Sequence, residues 1–91
     1  MSTIVEDPGK VNTTLSEQEY RERLRELPPS AKLVAKILET DAPLSQGRLA
    51  EESLLPDRTV RYALNRLEET GIVESRYSIH DARKQVYKLR L

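Results

Sequence analysis

The 91-residue sequence contains no cysteine, no tryptophan and no phenylalanine, and it has a single histidine. Without cysteine the chain can form neither disulfide bonds nor thiolate metal sites, and one histidine with carboxylates is an unusual zinc ligand set. We therefore expect no metal and no cofactor. Its three glycines (Gly9, Gly47 and Gly71) are isolated, so the sequence has no glycine-rich loop to hold phosphates. Because so short a chain also leaves little volume for a substrate cavity, we expect that the protein is not an enzyme.

Long apolar runs and an excess of charge of one sign are missing as well. No apolar run approaches the ~20 residues of a membrane span, and residues 1–7 lack the basic flank and apolar stretch of a secretion signal. We therefore expect a cytoplasmic protein without membrane contact. The 15 basic and 15 acidic residues cancel, yet residues 1–54 carry seven Lys/Arg against ten Asp/Glu, and residues 55–91 carry eight against five. A basic C-terminal part keeps nucleic acid among the possible partners.

The N-terminal part predicts a tail and one short helix. Pro8-Gly9 and the absence of apolar periodicity predict a flexible tail over residues 1–15. Ser16 and Glu19 have the spacing of a capping box, which predicts a helix over residues 16–27 that Pro28-Pro29 ends. The apolar stripe of this helix consists of Tyr20, Leu24 and Leu27.

Residues 28–91 predict three more helices and a small β-hairpin, so the expected fold class is mainly α with a little β structure. A helix should run from Pro29 to about Thr40, and a second should begin after the cap residue Ser45. A third, over residues 57–69 with Asp57 as its cap, buries Val60 and Leu64. The expected core is Val34, Leu38, Leu49, Ala50, Val60, Leu64, Leu67 and Val73.

Gly71 fits the left-handed position after the last helix, and strand-like sequences follow it over residues 72–79 and 85–91. The expected inward residues of these strands are Val73, Tyr77, Tyr87 and Leu89. A charged turn of His80, Asp81, Ala82, Arg83 and Lys84 joins the strands, which makes residues 78–85 a wing. A very short third strand near Pro43-Leu44 is compatible with the pattern.

Helix, turn, helix and basic hairpin is the order of elements in a winged helix-turn-helix domain. Three stretches resemble the MarR-like winged-helix transcription regulators, particularly the short archaeal ones, over roughly residues 28–91. They are Leu49-Ala50-Glu51, the run from Thr59-Val60 through Leu64 and Leu67-Glu68-Glu69 to Gly71-Ile72-Val73, and Asp81-x-Arg83. The resemblance implies binding to double-stranded DNA, with the helix over residues 57–69 in the major groove and the wing at the minor groove or backbone. MarR regulators continue into C-terminal helices that build their dimer, and this sequence stops at Leu91, which puts that dimer mode in doubt.

The outer side of the fourth helix carries the candidate DNA contacts Arg58, Thr59, Arg61, Tyr62, Asn65 and Arg66. Guanidinium groups suit guanine edges and phosphates, and Asn65 suits adenine or a phosphate oxygen. Thr59 has two competing roles, a phosphate contact that the resemblance implies and local helix capping. Tyr62 either reaches a phosphate or covers its own helix. For the charged residues, the alternative is an ordinary solvated helix surface.

In the wing, the resemblance implies that Asp81 holds Arg83, which enters the minor groove, and Lys84 stands beside it. An arginine ordered in advance loses less entropy on binding, and narrow A·T-rich minor grooves attract it. The alternative is a charged turn that only keeps the hairpin soluble. We assign no role to His80.

These observations predict a sequence-specific DNA-binding transcription regulator. The alternative is a winged helix that serves as a protein-interaction module in transcription or replication machinery, which the zero net charge and the acidic first half support. We also expect a homodimer formed mainly through Tyr20, Leu24 and Leu27. The competing expectation is that this stripe folds back on its own domain.

Overall fold

The computed structural model describes residues 14–91, so most of the tail predicted over residues 1–15 lies outside the described residues. Four helices and three strands follow one another: α1 (Glu17–Arg25), α2 (Pro29–Thr40), β1 (Leu44–Ser45), α3 (Gln46–Ser53), α4 (Asp57–Glu69), β2 (Val73–Tyr77) and β3 (Gln85–Leu89). The strands form one antiparallel sheet in the order β1-β3-β2. This architecture is a winged helix-turn-helix, which confirms the predicted fold class.

Helix α1 begins with the predicted capping box. The Ser16 hydroxyl accepts a hydrogen bond from the Glu19 amide at 3.1 Å, and the Glu19 carboxylate accepts one from the Ser16 amide at 3.0 Å. This bond to the Ser16 backbone holds the pKa of Glu19 below its ordinary value. The helix ends at Arg25, earlier than predicted, because the Leu27 amide bonds the Leu24 carbonyl in a tighter turn that leads into Pro28.

The core lies between α2, α3 and α4 and follows the predicted periodicity. Leu49, Val60 and Leu67 are fully buried, and Leu64 is nearly so. Ala50 is only partly buried at the edge of the core, whereas Ile72, which was not among the expected core residues, is fully buried. Residues at i, i+3, i+4 and i+7 of α4 therefore share one inward face, as the spacing predicts.

The apolar stripe of α1 belongs to this same core. Tyr20 is 4% exposed, Leu24 7% and Leu27 5%, because α1 packs against α2. The Tyr20 hydroxyl donates a hydrogen bond to the Glu39 carboxylate, and Arg23 donates one to the Thr70 carbonyl at 2.8 Å. The prediction that this stripe forms the dimer surface is therefore wrong, since the stripe is already covered by its own domain.

Strand β3 is the centre of the sheet. It pairs with β2 from Val73–Leu89 to Tyr77–Gln85, and with the short strand β1, which contains Leu44 as expected. Tyr77 was predicted to face inward, but it is 62% exposed because it lies at the far end of the hairpin, beyond the helices. Before α1, the Leu15 amide donates a hydrogen bond to the Arg90 carbonyl and so ties the start of the described chain to the sheet.

The turn between α3 and α4 aims the fourth helix. Ser45 caps α3 as predicted, accepting a hydrogen bond from the Arg48 amide at 3.2 Å. Leu54 ends α3 in the left-handed conformation, with φ of 62°. The prediction that Asp57 caps α4 is wrong, because Pro56 occupies the cap position and Asp57 lies inside the first turn. Gly71 has the predicted left-handed conformation after α4, with φ of 75°.

Candidate nucleic-acid interface

The buried face of α4 determines which side chains the helix presents outward. Val60 and Ala63 are fully buried against the core, and the two residues between them, Arg61 and Tyr62, are exposed. At the N-terminal end, the Gln46 side chain donates a hydrogen bond to the Asp57 carbonyl at 3.3 Å, which joins the starts of α3 and α4. The helix is therefore held at both ends, since Arg23 binds the carbonyl of Thr70 directly after it.

Arg58, Arg61 and Asn65 form the exposed polar face of α4. Within residues 14–91, none of these three side chains makes an intramolecular hydrogen bond or ion pair. A donor group that already has an intramolecular partner must break that bond before it binds another molecule. Arg58, Arg61 and Asn65 have no such bond to break within the described residues. Their arrangement suits contacts to base edges or phosphates.

Tyr62 and Arg66 are arranged differently from their neighbours. An Arg66 guanidinium nitrogen lies 3.4 Å from the Tyr62 hydroxyl, and Arg66 Nε lies 3.6 Å from a Glu69 carboxylate oxygen. Both are weak intrahelical contacts on a surface where Tyr62 is 48% exposed. These contacts hold the Arg66 side chain along its own helix.

Thr59 is partly buried beside Val60. The competing role considered for its hydroxyl, capping of α4, does not occur, since the helix start has no side-chain cap hydrogen bond.

The wing is a hydrogen-bonded turn that displays Arg83. The Ser78 amide donates to the Lys84 carbonyl at 2.8 Å, and the Lys84 amide donates to the Asp81 carbonyl at 2.9 Å. The Asp81 carboxylate accepts from the Arg83 amide at 3.0 Å and lies 3.5 Å from Arg83 Nε. The side chain of Arg83 is nevertheless 92% exposed. The turn thus orders the backbone around an arginine that points away from the molecule.

Tyr87 is a partly buried residue of β3 near α4. Burial raises the pKa of its phenol, and the nearby Glu68 carboxylate raises it further, while Arg61 has the opposite effect. Tyr87 is therefore within electrostatic range of Glu68 and Arg61 of α4, and it is partly buried on β3.

Three features of this surface were not predicted. The bonds of Gln46 and Arg23 to the ends of α4 join residues far apart in sequence, and no local pattern signals them. Ile79 is 94% exposed at the start of the wing turn. Its place beside the charged turn was readable from the sequence, but an apolar residue in a strand-like run is expected to pack inward.

A groove of about 880 Å³ lies on another face, between α1, α2 and the end of β3. Its floor is apolar, with Leu24, Leu38 and Leu89, and its rim carries the cations Arg21, Arg25, Lys32, Lys36 and Lys88. Lys36 pairs with Glu39 and Lys88 with Glu74, each at 3.5 Å. Arg21, Arg25 and Lys32 have no ion pair with any residue from 14 to 91.

Among the described residues, no helix has the length and hydropathy of a membrane span, and no cluster of three or more His, Cys, Asp or Glu side chains could hold a metal ion.

Comparison with known proteins supports the fold assignment. Residues 34–74 match the family model described as winged helix-turn-helix DNA-binding. No curated protein sequence matches the chain.

Three solved structures share this fold at 17–23% sequence identity. MepR of S. aureus, solved as a DNA complex, is 18% identical with a TM-score of 0.66, covering 80% of this chain and 62% of its own. The zinc-responsive MarR family member ZitR of Lactococcus lactis is 23% identical with a TM-score of 0.64, covering 70% and 44%. BpsR of Bordetella bronchiseptica, whose DNA binding is regulated by 6-hydroxynicotinic acid, is 17% identical with a TM-score of 0.68, covering 79% and 58%.

The chain thus spans roughly half the length of the solved regulators that it resembles. The resemblance to MarR-like regulators that the sequence indicated is confirmed at the level of the fold.

Proposed function

We propose that the protein is a sequence-specific DNA-binding transcription regulator of the cytoplasm, with α4 in the major groove and the wing at the minor groove or backbone. The observation that carries this proposal is the exposed face of Arg58, Arg61 and Asn65, whose side chains have no hydrogen bond or ion pair within the described residues. Arg83 extends the same basic character to the wing. A groove-reading helix followed by a basic wing is the arrangement that reads DNA in this fold.

The alternative is a protein-interaction module, and one observation favours it. Tyr62, Tyr77 and Ile79 are exposed at 48%, 62% and 94%, and exposed aromatic and apolar side chains are common at protein interfaces. Tyr62 contacts the guanidinium group of Arg66, however, and aromatic side chains next to guanidinium groups also suit a nucleic-acid backbone.

The test compares two triple variants by fluorescence anisotropy on DNA obtained by in vitro selection. Arg58→Ala/Arg61→Ala/Arg83→Ala removes three cations from the proposed interface. Arg21→Ala/Arg25→Ala/Lys32→Ala removes the same charge from the groove face and is the matched control. We expect the first variant to lose specific binding and the control to retain it. Equal binding by both variants would refute the DNA-reading assignment.

Single substitutions distinguish base contacts from phosphate contacts. Arg61→Ala should weaken specific binding by ~1–3 kcal/mol and relax the sequence preference if its guanidinium reads a base. Lys84→Ala should weaken binding to all sequences about equally and reduce the salt dependence by about one ion. Selected sites that are the same for wild type and Arg61→Ala would exclude base reading by Arg61.

We further propose that two copies bind paired half-sites. One winged helix contacts only a few base pairs, which is too little to select one site in a genome. Because Tyr20, Leu24 and Leu27 are buried within the domain, the contact between the copies must use another surface.

The groove offers a site for regulation by a small anion with an apolar part. Its apolar floor suits a ring or short chain, and Arg21, Arg25 and Lys32 on the rim suit a carboxylate. The control by 6-hydroxynicotinic acid described for BpsR has this chemistry. Aromatic carboxylates should change the DNA affinity of the wild type but not of the Arg21→Ala/Arg25→Ala/Lys32→Ala variant.

A further inference from the structure

Ile79 is the most exposed of the large apolar side chains in the described chain, at 94%, and it lies at the start of the wing turn. Isolated exposed apolar residues are common and need no explanation by themselves. Ile79 differs in its location, since it flanks the turn from which Arg83 projects at 92% exposure.

The backbone on both sides of Ile79 is held within the turn. The Ser78 amide bonds the Lys84 carbonyl at 2.8 Å, and the His80 amide bonds the Ser78 hydroxyl at 3.1 Å. The turn is therefore ordered by its own hydrogen bonds, without help from the Ile79 side chain. A β-branched side chain on an ordered backbone also has few rotamers, so it loses little entropy when a surface covers it.

The zero net charge of the chain is a reason to expect an apolar contact with DNA. The 15 basic and 15 acidic residues cancel, so the general attraction to a polyanion is weak. A regulator of this composition gains from contacts that do not depend on charge. The walls of the minor groove offer one, because deoxyribose presents carbon-bound hydrogen atoms between the phosphates.

We propose that Ile79 is a DNA-contact residue that packs against deoxyribose in the minor groove, beside the arginine that enters it. This inference rests on the proposed DNA-binding function and adds to it an apolar contact at the wing. Arg83 supplies the charge, and Ile79 supplies contact area that excludes water from one wall of the groove. Other minor-groove proteins also use apolar side chains, although they insert them between base steps.

The experiment measures the dissociation constant of Ile79→Ala on the selected DNA across a series of salt concentrations. We expect the dissociation constant to rise about three- to tenfold, as the partial loss of one apolar side chain implies, with no change in the salt slope. Arg83→Ala, measured alongside, should reduce the slope by about one ion. Leu33→Ala, an exposed leucine of α2, is the matched control and should leave binding unchanged. Thermal unfolding confirms that each variant is folded.

A modified site then locates the contact. Replacing adenine by 2,6-diaminopurine under the wing adds an amino group to the minor groove and leaves the major-groove edge intact. This change should weaken wild-type binding more than it weakens binding by Ile79→Ala.

Unchanged affinity of Ile79→Ala would overturn the inference. A reduced salt slope in that variant would show that Ile79 only positions Arg83, and it would overturn the inference as well. Equal sensitivity of both proteins to the modified base would place Ile79 outside the minor groove. A wild type that binds no DNA would instead refute the proposed function itself.

Discussion

Leu54 has a backbone conformation that leucine rarely adopts. Its φ is 62°, its amide bonds the Ala50 carbonyl at 3.0 Å, and its side chain is 89% exposed. The left-handed conformation ends α3 and redirects the chain toward Pro56 and α4. Such a position normally holds glycine, because a Cβ atom there crowds the backbone. The exposed Leu54 side chain contributes little packing that could compensate for this crowding.

Leu54→Gly should therefore raise the free energy of unfolding by about 1 kcal/mol, which corresponds to roughly 4–8 °C in the melting temperature of a domain of this size. Leu54→Ala keeps the Cβ atom and is the control, so it should give no such gain. Thermal and urea unfolding measure both. A glycine variant that is less stable than the alanine variant would contradict the argument.

Tyr20 makes the stability depend on alkaline pH. Burial raises the pKa of its phenol well above the ordinary value of 10.0, and the hydrogen bond to Glu39 raises it further. The folded state thus favours the neutral phenol. Its contribution is fully present below about pH 10 and is lost as the pH rises from there toward the higher folded pKa.

We expect the wild type to lose stability above pH 10 and Tyr20→Phe to lose less over the same range. Tyr87→Phe is measured as a comparison. Burial also raises the pKa of Tyr87, so this variant should likewise lose less stability than the wild type above pH 10. Urea unfolding from pH 8 to 11 measures the slopes. A slope for Tyr20→Phe equal to that of the wild type would show that Tyr20 does not carry this dependence.

Helix α1 illustrates what the sequence predicts and what it does not. The Ser16–Glu19 capping box depends on residues three apart, and local chemistry alone was sufficient to predict it. The surface that covers Tyr20 depends on Glu39 and the rest of the core, which are distant in sequence. An amphipathic stripe predicts that its residues are buried. It does not predict whether its own domain or a second copy of the chain covers them.

The same distinction holds at the interface. The periodicity of Val60 and Leu64 predicted the outward face of α4 correctly, since a helix with one buried face leaves no choice for the other. Tyr77 was predicted to face inward by strand alternation, which cannot show where a hairpin extends beyond its helices. The hydrogen bond of Arg23 to the Thr70 carbonyl could not be predicted from the sequence either, because it joins α1 to the end of α4 through tertiary packing.

Burial of the α1 stripe makes this helix part of the structural core. Leu24→Ala should lower the free energy of unfolding by about 2–5 kcal/mol, as for other buried leucines. Arg25→Ala, on the exposed side of the same helix, should change it by less than about 0.5 kcal/mol. Chemical unfolding gives both values. If Leu24→Ala were as harmless as the control, α1 would not pack as described.

At the scale of the whole molecule, the charges are separated along the chain. Residues 1–54 hold seven basic and ten acidic residues, and residues 55–91 hold eight and five. The basic part contains α4 and the wing, so the two elements proposed to meet DNA share one sign of charge. A local excess of basic residues can attract a polyanion to that part of the molecule without a high net charge.

Two copies on one DNA site should depend on the spacing of the half-sites. Winged helices paired on one face of the duplex have their half-sites about 10–10.5 base pairs apart, or a multiple of this. Inserting five base pairs moves one half-site to the opposite face, so the contact between the copies is lost although each half-site remains intact.

We expect cooperative binding of two copies to a selected palindromic site and independent, weaker binding to the lengthened one. Sedimentation of the complexes gives the stoichiometry, and anisotropy gives the affinity. Cooperative binding that is insensitive to the insertion, or a single copy on a non-palindromic site, would exclude paired recognition. Leu24 and its neighbours are already buried, so a variant that disrupts cooperativity while leaving thermal stability unchanged must map to a different surface.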